Sequence, residues 1–370
     1  MKICFFTHNL RQDNGTGVFS RRLITGIRDA LSADVIVLTA VSSNEPYEQS
    51  ILLSNKLLLI TRIPQIRAIM RDCDVVHALD VFPYGMIAAF ASVGLRKKMI
   101  ITTIGSGSIL PLYHWLYAPF ARAVYRQANA ITAISAFTRD EILRKMPDLN
   151  IAVINPGVDV HEFSQHLSAI RDGANDAIKK FTPYILSVGQ LRWRKGYHFS
   201  IRAFAKVSSS FPQLHYVIVG KRYTKIYERR LENLIEELGL QNRVHILQDV
   251  DSREALVEFY KNAGLFCLFS QNINHDVEGF GLVFLEAAAA GLPVVGSKDC
   301  GVDDAMKDGQ NGILVAGRNP DDFADAIITI LKDPAKKKAM ADASRAFASE
   351  MSWQRQVSMY GACYRRIIAK

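Results

Sequence analysis

The stretch HDVEGFGLVFLEAAAAGLPVVG, residues 275 to 296, sets two acids around a Gly-Phe-Gly turn just ahead of an alanine-rich apolar run. The run predicts a helix that begins near Gly281 and stops at Gly291, with strands in LFCLFS before it and in PVVGS after it. A strand, a glycine turn, a helix and a second strand make one β-α-β unit of a parallel sheet. Ligands bind at the carboxyl ends of such strands, and Glu278 and Glu286 lie close to one of them.

The same alternation of short apolar runs and helix-length segments continues in both directions along the chain. Runs that are apolar on both faces are typical of buried parallel strands, so we expect two doubly wound, Rossmann-like α/β domains. The predicted strands are KICFFT, VIVLTA, VVHAL, MIITTI, AITAIS and IAVINPG in the first half, and YILSVG, YVIVG, VHILQ, LFCLFS, PVVGS and GILV in the second.

The domain boundary is predicted from a polar stretch, residues 160 to 180, that has no strand-like run. The first domain should span residues 1–165 and the second residues 182–352. The tail 353–370 has helical spacing and either closes the second domain or crosses back to the first. Its predicted apolar stripe consists of Trp353, Val357, Tyr360, Tyr364 and Ile368.

Composition limits the class of protein. The chain has 370 residues and a formal net charge of +9, with no basic tail or arm. That pattern argues against a nucleic-acid-binding protein and suits anionic substrates or an anionic membrane surface. Five scattered cysteines without metal-ligand spacing indicate a reducing, cytoplasmic compartment, and no apolar run is long enough for a membrane span. We expect neither a metal nor another cofactor.

The predicted start of the helix in residues 275–296 is an anion site. Free N–H groups of Gly281, Leu282 and Val283 would face the ligand. Neither glutamate helps to bind a bare phosphate, but carboxylates accept hydrogen bonds from hydroxyls. A sugar joined through a diphosphate to a nucleoside has hydroxyls on both sides of its phosphates. The alternative is that Glu278 pairs with the helix dipole and that Glu286 is half-exposed.

A second motif is SVGQLRWRKG, residues 187 to 196. The strand should end at Gly189, and the loop after it carries Arg192, Arg194 and Lys195. Three cations at the carboxyl edge of a parallel sheet suit a diphosphate leaving group, whereas the alternative is a solvated basic loop.

The first domain offers weaker signals. NLRQDNGTGVFSRRL (9–23) follows the first strand and contains Gly15 and Gly17, but it lacks the full dinucleotide fingerprint, which disfavours a dehydrogenase. ITTIGSGSILPL (101–112) is a small polar loop after the fourth strand. The histidines near strand ends or in loops are interpreted as ordinary polar side chains; they are His8, His77 and His114.

These motifs together resemble the retaining glycosyltransferases of family 4, whose GT-B fold has two Rossmann-like domains facing across a cleft. The similarity rests on VGQLRWRKG, on the two glutamates of EGFGLVFLE and on the following AAAAGLPVV. NGTGVFS, ITAISAFTRD and INPGVD match more loosely, and the tail resembles the terminal helix that crosses back to the first domain in that family.

The resemblance implies a role for each motif. Glu278, Lys195 and Arg194 would be the catalytic residues, with Glu278 and the backbone of Phe280 and Gly281 holding the donor sugar. Glu286 would hold the donor ribose. The remaining donor-binding positions, nearest the phosphates, would be Gly15, Gly17, Gly189, Arg192, Leu282 and Val283.

Two positions depart from the family pattern. Gln190 stands where an arginine is common, and Ile104 stands where a histidine is common. Neither the loop 101–112 nor the rest of the first domain shows an obvious carboxylate nucleophile, so a front-face reaction with retained anomeric configuration is expected.

The expected activity is transfer of a hexose from a nucleotide diphosphate sugar, GDP- or UDP-linked, to a hydroxyl of a lipid-linked or polysaccharide acceptor in envelope glycan synthesis. DVEGFGLVFLEA most resembles mannosyltransferases, which favours GDP-mannose. The alternatives are a nucleotide-sugar 2-epimerase and a catalytically inactive sugar-nucleotide-binding subunit.

Two segments predict peripheral contact of the first domain with the inner face of the cytoplasmic membrane. NKLLLITRIPQIRAIMR (55–71) and LYHWLYAPFARAVYRQ (112–127) mix arginines with apolar and aromatic residues. This composition suits shallow insertion among anionic headgroups. The alternative is that both are ordinary helices packed on the sheet.

Overall fold

The computed structural model describes residues 1–53, 58–164, 178–250 and 252–369. The chain divides into two compact units, one formed by Met1–Gly157 with Trp353–Lys370 and the other by Val158–Ser352. Each unit contains one sheet whose described strand pairs are all parallel. The prediction of two doubly wound α/β domains is confirmed. Most of the stretch predicted as the domain boundary, residues 165–177, lies outside the described residues.

The described part of the first unit has a seven-stranded sheet in the order β3-β2-β1-β4-β5-β6-β7. Its strands are β1 (Lys2–Thr7), β2 (Asp34–Thr39), β3 (Glu48–Gln49), β4 (Val75–Leu79), β5 (Lys98–Thr103), β6 (Ala130–Ala133) and β7 (Ile151–Val153). Its helices are α1 (Gly15–Leu31), α2 (Ile63–Arg71), α3 (Met86–Ser92), α4 (Ser106–Tyr113), α5 (Ala118–Gln127) and α6 (Ala136–Leu143).

Strand β3 was not predicted from the sequence. It has only two residues, both polar, and pairs with β2 at the edge of the sheet. The hydroxyl of Thr39 donates to Glu48 Oε1 over 2.6 Å. Because this strand is held by a side-chain hydrogen bond and not by an apolar face, the pattern of apolar residues gives no sign of it.

The C-terminal helix, α15 (Trp353–Ile368), belongs to the first unit and packs on α1. At the closest approach a Cβ on Gly26 would collide with Val357, so only glycine fits there. The phenol of Tyr364 lies 2.7 Å from Nδ1 of the buried His77 on β4. The expected crossing of the tail back to the first domain is therefore what the structure shows.

The buried stripe of α15 differs at its end from the predicted one. Val357, Tyr360 and Tyr364 are buried as expected, but Ile367 is buried and Ile368 is exposed. A step of three residues from Tyr364 keeps Ile367 on the packed face, because a helix has 3.6 residues per turn.

The described part of the second unit has a six-stranded sheet in the order β10-β9-β8-β11-β12-β13. Its strands are β8 (Tyr184–Val188), β9 (His215–Val219), β10 (Val244–Leu247), β11 (Leu265–Leu268), β12 (Val294–Ser297) and β13 (Gly312–Val315). Its helices are α7 (Val160–Ser164), α8 (Tyr197–Ser210), α9 (Lys225–Glu237), α10 (Arg253–Asn262), α11 (Leu282–Ala289), α12 (Val302–Ala305), α13 (Pro320–Leu331) and α14 (Pro334–Glu350).

The order of strands locates a crevice in this second sheet. From β8 the chain continues to β9 on one side, whereas β11, the neighbour of β8 on the other side, leads on to β12. Such a reversal of strand order opens a crevice at the carboxyl ends of the two central strands. The loops after β8 and β11 carry the two motifs singled out in the sequence.

Within the described ranges, none of the helices has the length and apolar character that crossing a bilayer requires.

Candidate active site

A buried ion cluster lies where the loops after β8 and β11 meet. Glu278 Oε2 is 2.5 Å from Lys195 Nζ and 2.8 Å from Arg194 Nη1. The hydroxyl of Ser270 lies 3.3 Å from the same oxygen. The structure thus brings together the three residues expected to be catalytic, although Glu278 is 84 positions from Arg194 in the sequence.

Burial shapes the electrostatics of this cluster. Lys195 is 8% exposed and Glu278 is 7% exposed. Burial alone would raise the pKa of Glu278, but the charges of Lys195 and Arg194 outweigh it and lower that pKa to about 2. Burial lowers the pKa of Lys195, and the carboxylate opposes that effect. Arg194 Nε also lies 3.6 Å from Asp276 Oδ1, and Arg192 interacts with the same charges. Three cations and two carboxylates therefore share a site of low dielectric, which leaves it net positive.

The structure contradicts the half-exposed Glu286 of the first alternative and the solvated loop of the second. Glu286 is 8% exposed, so it is not the half-exposed residue of the alternative. The loop after β8 is not a solvated basic loop either, because Lys195 is buried and Arg194 is mostly covered.

Glycines allow the loops to approach each other. Gly196 has φ 64°, and a Cβ there would collide with the Phe269 carbonyl of the loop after β11. Gly281, with φ 90°, precedes α11 and offers no side chain to cap it. The first N–H groups of α11, those of Leu282 and Val283, thus belong to an uncapped helix start, which favours an anion.

Glu286 sits inside α11 in a second ion cluster. Arg253 Nη1 lies 2.6 Å from Glu286 Oε1, and the phenol of Tyr260 donates to Oε2 over 2.9 Å. Arg253 also pairs with Glu162 of α7, with 2.7 Å between Nε and Oε1. A carboxylate has about four acceptor sites. Arg253 and Tyr260 use two of those of Glu286, so the others can accept from ligand hydroxyls.

The sequence reasoning missed Arg253, Tyr260 and Glu162. Arg253 follows Ser252, which caps α10 by accepting from the N–H of Ala255. That capping serine after VHILQ was the available signal, because it places the first helical residue at the carboxyl edge of the sheet.

Several buried polar atoms at this edge have no hydrogen-bond partner in the part of the chain that the structure describes. They lie in the loops after β8 and β11 and at the end of β12: Arg192 Nε, Arg194 Nε, Gln271 Nε2, Asn272 Oδ1 and Ser297 Oγ. Buried polar groups are nearly always paired in native proteins. Unpaired donors and acceptors gathered at one sheet edge therefore indicate a polar ligand.

Arg192 is placed by an aromatic ring. Its guanidinium lies 3.7 Å from the ring centroid of Tyr223, in the loop after β9. Stacking on a ring fixes the plane of the guanidinium while its N–H groups stay available. Tyr223 was not singled out in the sequence.

Of the remaining predicted donor-binding positions, two belong to the loops of this cluster and two belong to the first unit. Gly189 directly follows β8 and has φ 145°; a Cβ added there would lie 3.3 Å from Lys195 Cε. Phe280 is buried and directly precedes Gly281. Gly15 and Gly17 belong to the first unit, at the start of α1, where Asn14 Oδ1 accepts from the N–H of Gly17. Their assignment to the donor phosphates stays a prediction.

The three histidines interpreted as ordinary have different surroundings. His77 is buried, hydrogen-bonded through both ring nitrogens to Tyr364 and Thr102, and burial lowers its pKa to about 3. It is a packing residue of the first unit. His8 lies 2.8 Å from the Tyr84 phenol, and His114 contacts the Tyr117 ring.

Asp80 is a further acid of the first unit that the sequence reasoning missed. It directly follows β4, accepts from the hydroxyl of Ser108, and burial raises its pKa to about 7. The signal was the acid at the end of VVHAL, a strand whose own residues are all buried.

Two models of known protein families match this chain, one in each half. Residues 14–162 match the family model described as Glycosyltransferase Family 4, and residues 172–347 match Glycosyl transferases group 1. The chain is 21% identical to Anabaena HepE, solved in complex with UDP, with a TM-score of 0.83 over 99% of this chain and 100% of that one. This likeness shows the fold.

Two curated relatives are similar in sequence. A D-inositol 3-phosphate glycosyltransferase from Corynebacterium urealyticum is 33% identical over 223 residues, which cover 59% of this chain and 51% of that protein. The match thus spans about half the length of this relative. A GDP-mannose-dependent alpha-(1-6)-phosphatidylinositol monomannoside mannosyltransferase from Mycolicibacterium smegmatis is 28% identical over 295 residues, covering 75% and 74%. Two family matches in sequence order, together with the fold, show that the chain belongs to glycosyltransferase family 4.

Proposed function

We propose that the protein transfers a hexose, with mannose favoured, from a nucleotide diphosphate sugar to a hydroxyl of a lipid-linked or polysaccharide acceptor, with retention of configuration. The observation that carries this proposal is the edge of the second sheet. Two buried cations, an uncapped helix start and several unpaired buried polar atoms meet there. A diphosphate flanked by two sugars supplies both the charge and the hydroxyls that these groups lack.

Each end of the donor has its own acidic partner in this proposal. Glu278, with the backbone of Phe280 and Gly281, holds the transferred sugar. Glu286 accepts from the ribose hydroxyls with the lone pairs that Arg253 and Tyr260 leave free. Lys195 and the N–H groups at the start of α11 face the diphosphate between them.

The chemistry is mainly electrostatic. As the bond from the anomeric carbon to the diphosphate breaks, negative charge grows on the leaving oxygen. Lys195 and the two arginines of the same loop stabilise that charge, and they are held in place before the reaction begins. We place no metal in this step, so transfer should continue in chelator; loss of activity that a divalent metal restores would contradict that part of the proposal.

The relative from Mycolicibacterium smegmatis is named as a GDP-mannose-dependent enzyme acting on a phosphatidylinositol mannoside, which supports mannose and a lipid acceptor, whereas HepE was solved with UDP. A thermal-shift screen against UDP- and GDP-sugars, followed by NMR of the product, tests the proposal. We expect sugars of one nucleotide, either UDP or GDP, to raise the Tm of the protein. We expect the product to be a glycoside with the same anomeric configuration as the donor. A 2-epimerised nucleotide sugar as the product would identify an epimerase, and binding without turnover would identify an inactive subunit.

The first prediction concerns the ribose carboxylate. Glu286→Ala should weaken the binding of free nucleoside diphosphate by tenfold or more while kcat changes little, because ribose contacts exist in the ground and transition states alike. Arg253→Ala should weaken binding less, since Tyr260 still orients the carboxylate. Isothermal titration with UDP and GDP measures both effects.

The matched control for that experiment is Glu258→Ala, which removes a different partly buried glutamate from α10 in the same unit, one that pairs with Lys261. Its affinity should equal that of the wild type. Unchanged nucleotide affinity in Glu286→Ala would refute the ribose assignment.

We further propose that the first unit contacts an anionic membrane surface. Trp115 is 83% exposed and Phe120 is 60% exposed, and Arg122 and Arg126 are exposed in the same segment of the chain. Those arginines, with Lys145, line an open cavity of about 640 Å³. A segment that exposes both aromatic rings and cations suits insertion at the interface and headgroup binding.

The other predicted membrane segment contributes less. Lys56 and Leu57 lie outside the described residues, whereas Ile63 and Ile66 are buried in the unit. Arg67 is occupied within the fold, because its Nη1 donates to the carbonyls of Ala91 and Val93. A charge reversal at Arg67 would therefore damage the fold itself.

The second prediction follows from this distribution. Trp115→Ala combined with Phe120→Ala should reduce co-sedimentation with vesicles that contain anionic lipid at least several-fold, and Arg122→Glu with Arg126→Glu should do the same. Binding should also weaken as salt is raised, since headgroup attraction is screened. Ile226→Ala, which removes an exposed apolar side chain from the second unit, is the control. Equal recovery of the wild type with and without anionic vesicles would contradict membrane contact.

A further inference from the structure

One guanidinium is shared between two carboxylates in the second unit. Arg253, the first residue of α10, lies between Glu162 of α7 and Glu286 of α11. Each of the three side chains is mostly covered from solvent. Solvent and salt screen covered ion pairs far less than exposed ones, so the positions of these charges affect whatever binds to Glu286.

The two carboxylates receive different parts of the guanidinium. Nε and Nη2 both donate to Glu162, to Oε1 over 2.7 Å and to Oε2 over 3.4 Å. Nη1 donates to Oε1 of Glu286 over 2.6 Å. Two N–H groups of an arginine match both oxygens of a carboxylate, and here that twofold contact is made with Glu162. Within the described residues, Glu286 receives a single hydrogen bond from Arg253.

Aromatic rings pack against the guanidinium in this orientation. Phe163, next to Glu162 on α7, is buried, and its ring centroid lies 5.3 Å from Arg253 Cζ. The same ring meets that of Tyr260 edge-on, with the centroids 5.8 Å apart. Helix α7 thus supplies both the carboxylate that takes the paired N–H groups and a ring that lies over the guanidinium.

The charge of Arg253 is shared as well. Burial alone would lower the pKa of Arg253, but Glu286 and Glu162 outweigh it and raise that pKa. Both carboxylates therefore act on the same positive charge, and Arg253 does not fully neutralise Glu286.

This division keeps Glu286 able to accept from a ligand. Arg253 and Tyr260 fill one acceptor position on each of its oxygens, out of about four in all. If Arg253 turned its paired N–H groups to Glu286, both oxygens would carry a guanidinium N–H and one full positive charge would match the anion. A further hydroxyl would then find a weaker acceptor, because hydrogen bonds to an ionised group draw their strength from its charge.

We propose that Glu162 positions Arg253 so that Glu286 stays open to the hydroxyls of a nucleotide ribose. The inference rests on the proposed function, in which Glu286 binds that ribose. Glu162 itself touches no substrate and acts through Arg253. The ligand class that this arrangement selects is the ribonucleotide over the deoxyribonucleotide.

Ribose discrimination tests this role. The probes are UDP and GDP and their 2′-deoxy and 3′-deoxy forms, with affinities measured by isothermal titration. The wild type should prefer a ribonucleotide to its deoxy form by about 10- to 100-fold, the order for a hydrogen bond to a charged group. Glu162→Gln keeps the size of the side chain but removes its charge and one of its two acceptor oxygens. In that variant the preference should fall by about fivefold, while the affinity for the deoxy form stays within about twofold.

Three further variants separate positioning from folding. In a Glu286→Ala background, Glu162→Gln should cause no further loss of ribonucleotide affinity, because the carboxylate through which it acts is already gone. Glu254→Gln removes an exposed carboxylate from the same turn of α10, and its ribose preference should equal that of the wild type. Glu162→Asp keeps the charge but draws it back by one methylene. Its preference should lie between those of the wild type and Glu162→Gln, which keeps the test if the glutamine variant does not fold.

A salt bridge that only stabilises the fold gives another result. Glu162→Gln would then lower Tm, or weaken both nucleotides alike, and leave their ratio at the wild-type value. That result, or additive losses in the double variant, would overturn the inference. Failure of the proposed function has a different signature: the wild type then binds no nucleotide or shows no preference for ribose, and the role of Glu162 falls with it.

Discussion

Lys195→Ala should reduce kcat by a hundredfold or more. Its ammonium is buried, lies 2.5 Å from Glu278 and belongs to the site that receives the leaving diphosphate in our proposal. Loss of one preorganised charge-stabilising donor costs about 100- to 1,000-fold in turnover. Steady-state transfer assays with saturating donor measure the effect.

Two further variants sharpen that result. Lys195→Arg should restore little activity, because the buried ammonium lies 2.5 Å from Glu278 and the larger, planar guanidinium does not fit the place of a compact point charge. Lys206→Ala removes an exposed lysine of α8 that pairs with Asp325, and its kcat should equal that of the wild type. A loss of less than tenfold in Lys195→Ala would contradict the assignment of the lysine to the leaving group.

Glu278→Gln should lower both turnover and stability. The amide keeps the shape of the side chain but leaves the buried Lys195 without its anion and Arg194 with only the more distant Asp276. Breaking a buried ion pair by removing one partner costs about 3–5 kcal/mol. Turnover should fall as well, because the same carboxylate positions the reacting sugar in our proposal.

The pH dependence of this loss has a definite sign. The folded pKa of Glu278 is about 2, below the usual 4.5, so its contribution is fully present above pH 4.5 and disappears as pH falls through 2. Urea unfolding of the wild type and of Glu278→Gln should therefore differ by roughly 3 kcal/mol at pH 7 and should converge as pH approaches 2. Asp325→Asn, on the surface, should show no such difference. A constant gap across the whole range would show that the stabilisation does not come from the charge.

The fold was largely predictable because its signals are local. Each of the twelve predicted apolar runs contains a strand of the structure, since a strand buried on both faces must be apolar throughout. The turns at Gly196, Gly281 and Gly291 were also predictable, because each has a positive φ that glycine adopts without strain. The exposed Ile368 was misassigned because two isoleucines stand side by side and either one extends the apolar stripe. The polar strand β3 was missed because it has no apolar residue to reveal it.

The candidate site was predictable only in part. The sequence placed Lys195 and Glu278 at the same sheet edge, because parallel strands direct their carboxyl ends to one side. It did not indicate that Arg253 pairs with Glu286 or that Tyr223 stacks on Arg192. These pairs join loops from different strands, and their partners depend on the packing of side chains. Asp80 was missed for the same reason, since its pKa depends on its burial in the fold.

The return of the last helix to the first unit has a consequence for biosynthesis. The chain is made from its N-terminus, so residues 1–157 emerge long before Trp353–Ile368, and the second unit emerges between them. Until then the side chain of Val357 does not pack against Gly26, and His77 lacks its hydrogen bond with Tyr364. The half that starts first is thus completed last, and premature termination anywhere before residue 353 yields a molecule whose opening half stays unfinished. Such products expose an apolar groove along α1, the kind of surface that cellular proteases and chaperones recognise.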